Sequence, residues 1–254
     1  MTRRYLVVLV SMCLIAGFAY GEAQRTVFTH ENRVPEARQL EVGVGGSFSE
    51  FPEDTQRGFK GYDSYAFGPY LRYGLDERFS VNADIPFMYI DRRDGDSDQG
   101  LGDASVGFEF VGWQDVFGYP YILPHATLYL PTGDEDKGMG EGKARPAFGV
   151  SIGTTVNDVF HFVVDATYTI YRDRGNEASF GGSLIWDLDE KFSLSAECLV
   201  ISNRDTGPES NNPIYIIGGM HYEVNDDIQL SVYGGSSHHS EEDVIAGAKA
   251  SYSF

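Results

Sequence analysis

From Leu40 onward, apolar side chains fall on every second position with small or polar residues between them. Leu40, Val42, Val44 and Phe48 alternate with Glu41, Gly43, Gly45, Ser47 and Ser49. The same period returns over residues 65–73, 79–89, 104–110, 126–130, 146–152, 160–170, 180–188, 192–200, 214–222, 228–232 and 244–254. A two-residue period puts alternate side chains on opposite faces of a strand, so the pattern predicts about twelve strands with one apolar face each.

The links between these runs alternate in length. Short links stand at 74–78, 114–118, 156–158, 187–191 and 224–227; longer, acidic, Gly- and Pro-rich links stand at 50–62, 92–100, 132–142, 172–177, 203–212 and 235–243. GLDERFSVNADI (74–85) is echoed by DLDEKFSLSAEC (187–198) and more loosely by EVNDDIQLSVYG (223–234). The repeated unit is a turn followed by a strand start, as hairpins give, and not a solenoid repeat. The expectation is a single all-β domain: an antiparallel up-and-down meander with two unlike ends.

Such a meander closes either as a soluble barrel or sandwich with its apolar face inward, or as a transmembrane β-barrel with that face outward. Three features favour the second. The polar face is rich in Gly, Ser and Ala, which suits a lumen better than a water-facing surface. Aromatics gather near strand ends (Tyr73 and Phe79, Trp113 and Tyr119, Trp186 and Phe192, Tyr252 and Phe254), as girdles at two lipid–water interfaces require. The chain also closes on alternating hydrophobics ending in Tyr252 and Phe254, which resembles the assembly signal of bacterial outer-membrane proteins. In hydrocarbon every backbone polar group must be paired within the protein, so the last strand is expected to close on the first. An even strand number puts both termini and the short links in the periplasm.

The N-terminus agrees with export. Arg3 and Arg4 precede an apolar run over residues 6–19, and Ala19 and Gly21 suit cleavage before Glu22. That reads as a secretory signal over 1–21; the run is short for a transmembrane anchor. Cys13 lies inside the run, the wrong place for lipid attachment. Residues 22–38 form a periplasmic N-terminal segment, which either hangs in the periplasm or folds into the lumen, and 39–254 form the barrel. Loss of the signal takes formal net charge from -19 to 17 minus 38, or -21, a field that repels nucleic acid. Cys198 is then the sole thiol, so no internal disulfide supports the fold.

Two short motifs flank one hairpin. GLGD (100–103) opens one strand, LPTGD (130–134) closes the next, and antiparallel pairing about a turn near Val116 brings Asp103 opposite Tyr129 or Leu130 at the outer rim. Taken singly, Gly100, Gly102, Asp103, Pro131, Thr132, Gly133 and Asp134 are ordinary turn residues. Together with the terminal aromatic strand they make the chain resemble, over most of its mature length, the outer-membrane family named for the meta-pathway of phenol degradation. The resemblance implies a channel-like role and aromatic compounds as solutes.

By register, Asp84, Glu109, Asp165, Glu197 and Glu223 point inward, against Arg72, Arg145 and Lys249. Charges survive there only hydrated or paired, so these eight either line a water-filled pore or knit a salt-bridged plug. Gly43, Gly45, Ser47, Gly68, Gly149, Gly181 and Ser183 leave space and favour the pore. His238 and Ser240 have a His-x-Ser spacing seen in outer-membrane lipases, without a third partner; His125 with Thr127 and His161 with Asp165 share faces but form no nucleophile–base–orienter set. No catalytic residue, cofactor or metal is assigned.

The expected role is passage of small uncharged or cationic solutes, aromatic compounds among them, across a bacterial outer membrane. A structural or surface-interaction barrel and an outer-membrane hydrolase are the alternatives. Expected partners are outer-membrane lipid and lipopolysaccharide, the barrel assembly machinery and a small-molecule solute, with no nucleic acid.

Overall fold

In the computed structural model, residues 23–53, 61–115, 120–203, 212–238 and 242–254 are described. The expected signal, Tyr119 and Ser240 lie outside them. The strands are β1 (Leu40–Phe51), β2 (Tyr62–Asp76), β3 (Phe79–Asp84 and Phe87–Arg92), β4 (Asp98–Leu101 and Ser105–Phe110, extended by Trp113–Gln114) and β5 (Tyr121–Tyr129). They continue with β6 (Arg145–Val156), β7 (Phe160–Thr169), β8 (Glu177–Asp187), β9 (Phe192–Asn203), β10 (Ile214–Asn225), β11 (Ile228–His238) and β12 (Val244–Ser253). Fifteen ladder segments thus make twelve strands of a closed antiparallel β-barrel, because β3 is split once and β4 twice.

Closure rests on the terminal strand. β12 pairs with β11 on one side and with β1 on the other, and β1 also pairs β2. Phe254 N–H donates to the Leu40 carbonyl (2.8 Å), and Tyr252 stacks edge-on against Phe254 at 4.6 Å. No open edge is left at this seam, as hydrocarbon demands.

The apolar stripe faces out. Phe67, Phe108, Phe148, Val164, Phe180, Ile216 and Val232 are exposed, while their neighbours Ser105, Glu109, Ser151, Asp165, Glu197 and Ser231 are buried. Only a lipid solvent makes that inversion favourable. Ala126 is an outward-phase exception at 8% exposure, because it pairs with Phe108 on one side and Phe148 on the other and their rings cover it. Aromatic pairs mark the two rims: Phe79 with Phe108 and Phe160 with Trp186 at one, Phe48 with Tyr65 and Tyr65 with Tyr89 at the other.

Among the described residues, the wall has a weak seam between β2 and β3. Pro86 lacks an N–H, and the β2–β3 ladder lapses between the Phe67–Phe87 and Tyr70–Asp84 pairs. The neighbouring β4 breaks at Gly102–Ala104, leaving Gly102 N–H to donate to the Pro86 carbonyl (2.8 Å). A Cβ at Gly68 would lie 2.2 Å from the Ile85 carbonyl oxygen, so the crossing admits only glycine.

Candidate channel interior

Of the two places open to it, the N-terminal segment takes the lumen. It has no strand period, so it stays irregular and satisfies its backbone on the wall. Val27 and Phe28 N–H donate to the two carboxylate oxygens of Glu197 (2.7 and 2.9 Å), Thr29 and Ser183 share a hydroxyl hydrogen bond, and the Tyr121 hydroxyl donates to the His30 carbonyl. Lys249 Nζ donates to the Thr26 carbonyl. Arg25 reaches Asp187 at the rim and Glu31 beside it (2.8 Å), and Arg33 reaches Glu223 (3.2 Å). Burial alone would raise the Glu31 carboxyl, but Arg25, then Arg33, outweigh it and hold the pKa down at about 2.

All eight charged residues expected inside lie on the inner face. Arg72 is 5% exposed and bridges Glu41 (2.8 Å) and Glu109 (3.0 Å), while Ser80 also donates to Glu109. Asp165 accepts from Ser151 (2.5 Å) and Thr167 (2.8 Å) and sits 2.7 Å from His125 Nε2. Asp84 accepts from Ser105. Glu197, Glu223 and Lys249 hold the N-terminal segment, as above. Arg145 lies at the outer rim, its guanidinium 3.3 Å from Asp103 and over the Tyr129 ring at 4.6 Å.

The rim motifs meet. Asp103 accepts from the Gly133 and Glu141 amides (3.1 and 3.0 Å), and the Thr132 hydroxyl accepts from Ala104 N–H while donating to the Gly102 carbonyl. Pro131 precedes this knot, Asp134 starts the short 3-10 turn Glu135–Lys137, and Gly100 lies under Met139. The Asp103 carboxylate and the Gly102 carbonyl thus find partners in the loop that begins at PTGD, which folds back over the rim.

Of the small inner residues expected to leave space, Gly45, Ser47 and Gly68 border a pocket, whereas Gly43, Gly149 and Gly181 do not. A Cβ at Gly43 would meet the Tyr70 ring at 2.3 Å, one at Gly149 would meet His125 at 2.3 Å, and one at Gly181 would meet Thr29 of the N-terminal segment at 3.0 Å. Gly43, Gly149 and Gly181 are sockets for larger side chains. The residues sequence reasoning missed are Glu41, Arg25, Glu31, Arg33, His30 and the His125–Asp165 pair. Glu41 was legible, sharing the inward register of Gly43 and Gly45; the His125–Asp165 pair needed the strand register across β6, and the others the segment's path. His161 shares the inner face of β7 with Asp165 and bonds Asp187 (2.6 Å) and Thr155 (2.9 Å).

Residues 80–254 match the family described as "Putative MetA-pathway of phenol degradation". The chain belongs to this family. Among solved structures it is similar to the COG4313 outer membrane channel from Pseudomonas putida F1, at 14% identity and a TM-score of 0.65 over 92% of this chain and 100% of that one. It is similar also to the NanC porin (10%, TM-score 0.61, 83% and 98% covered) and the KdgM porin (10%, 0.58, 84% and 99%). At these identities the shared property is the barrel fold. No curated protein sequence matches the chain.

Proposed function

We propose that the protein is an outer-membrane channel for small uncharged or cationic solutes, aromatic compounds among them, reached after removal of residues 1–21. The observation that carries this is a pocket of about 450 Å³ at the weak seam, lined by residues from both faces of the wall. Phe67, Pro69 and Ile85 lie on its lipid side; Tyr70, Asp84, Tyr233 and Lys249, with Val27 of the N-terminal segment, lie on its inner side. An apolar wall with a few polar groups is what an amphipathic solute such as a phenol needs, and the volume suits one small molecule. The family name and the channels and porins of similar fold support the same direction.

Acidic groups outnumber basic ones on the inner face, and low-dielectric walls focus their field, which favours cations and disfavours acidic sugars. A specific observation favours a second reading, the structural barrel: residues 25–33 lie inside the lumen, bonded to its wall. Proteoliposome swelling with phenols, neutral sugars, amino acids and acidic sugars separates the two. Entry of phenols and neutral sugars ahead of acidic sugars supports the channel; no swelling with any solute supports the structural barrel.

A further inference from the structure

We infer that His30, His125 and Asp165 form a site for a divalent transition-metal ion that ties the N-terminal segment to the barrel wall. The three come from separate elements: His30 from the segment, His125 from β5 and Asp165 from β7. One donor atom from each lies within 4.8 Å of the other two. The individual gaps are 2.7 Å from His125 Nε2 and 3.7 Å from His30 Nδ1 to the same oxygen, Asp165 Oδ2. Donors about 2.0–2.1 Å from a tetrahedral ion stand roughly 3.3 Å apart, so the observed gaps bracket the required one. A small parting of His125 from Asp165 and a small approach of His30 would complete three ligands, with water as the fourth.

Three further observations fit a ligand set better than a packing accident. Nδ1 of His30 is buried and has no hydrogen-bond partner among the described residues, since 3.7 Å is too long for one. The His30 and His125 rings stack at 4.0 Å, holding two imidazoles side by side against one carboxylate. The outer partners of a metal site are present as well. Ser151 and Thr167 donate to Asp165, Tyr121 fixes the His30 backbone, and Glu109 lies 3.8 Å from His30 Nε2, where it would favour the tautomer that leaves Nδ1 to the ion. Gly149 supplies the socket for the His125 ring. Two imidazoles and one carboxylate select zinc, copper or nickel over calcium or magnesium, which prefer all-oxygen sites. The site stands on binding alone and does not require that the barrel conduct.

The test uses the untagged mature protein in detergent, titrated with Zn2+ against a chromophoric chelator, with gel mobility before and after boiling as the check that each variant is folded. One Zn2+ per barrel is expected at micromolar concentration, weakened at least about tenfold in His30→Ala and in His125→Ala, and retained in His221→Gln, which lies outside the cluster. His30 belongs to no strand, so its loss leaves the ladder intact. Trypsin should also cut after Arg25, Arg33 and Arg38 more slowly in Zn2+ than in chelator, and equally fast in both for His30→Ala. No binding by the wild type, or binding by either histidine variant as tight as the wild type's, overturns the site; equal cutting of the wild type with and without Zn2+ overturns the tie between segment and wall.

Discussion

Arg72 is the residue on which the inner charge network turns. Its guanidinium stands between Glu41 and Glu109, all three almost fully buried. Arg72→Ala leaves two carboxylates without their cation, an arrangement that costs about 3–5 kcal/mol. Denaturant unfolding in micelles should show a loss of that order; an unchanged midpoint would mean that water already satisfies the two acids. Glu31 gives a pH dependence at the same scale. Its folded pKa, about 2, lies below the ordinary carboxylate value of 4.5, so its stabilising contribution is complete above about pH 4.5 and fades as pH falls toward 2. Amide exchange in peptides covering residues 23–33 should quicken across that window once corrected for intrinsic rates. Glu31→Gln should be fast at pH 7 already, and equal protection of wild type and variant at pH 7 would remove the ion pair from the account. Inward direction of single residues was legible in the sequence because strand register alone fixes it, which is why Asp84, Glu109 and Glu197 were placed by alternation. Their partners were not, because a pairing such as Arg33 with Glu223 spans the chain and depends on the path of a segment without a period.

At the scale of elements, the strands were legible from the two-residue period and the hairpins from link length. The breaks in β3 and β4 were not, since Pro86 and the GLGD glycines read as continuations of a run or as its opening turn. The meaning of the inner glycines was also hidden: a small residue looks the same whether it borders water or a ring. Two outcomes follow. Gly153→Val would drive a methyl group into the Tyr121 ring, 2.3 Å from the Cβ position, and should cost about 1–3 kcal/mol as overpacking, read as a lower temperature for the gel-mobility shift. Removing Phe254 takes away the bond that seals β12 to β1 at Leu40, and should lower membrane-inserted protein far more than it lowers export to the periplasm. Equal membrane abundance with and without Phe254 would show that the seam closes without it.

For the whole molecule, one picture joins the lipid-facing stripe, the closed ladder and the segment inside it: a barrel with its own N-terminal segment held in its bore and a pocket where the wall is weakest. The outer loops add acids, but these are exposed and screened beyond about 8 Å at physiological salt, so selectivity belongs to the inner face. Current across a planar bilayer holding the mature protein, measured under a salt gradient, tests this most directly. The account predicts a small, cation-selective conductance, with a reversal potential that moves toward anions in Asp84→Asn and less when Asp134 and Asp136 are neutralised. Anion selectivity, or no current at all from correctly folded barrels, would contradict it.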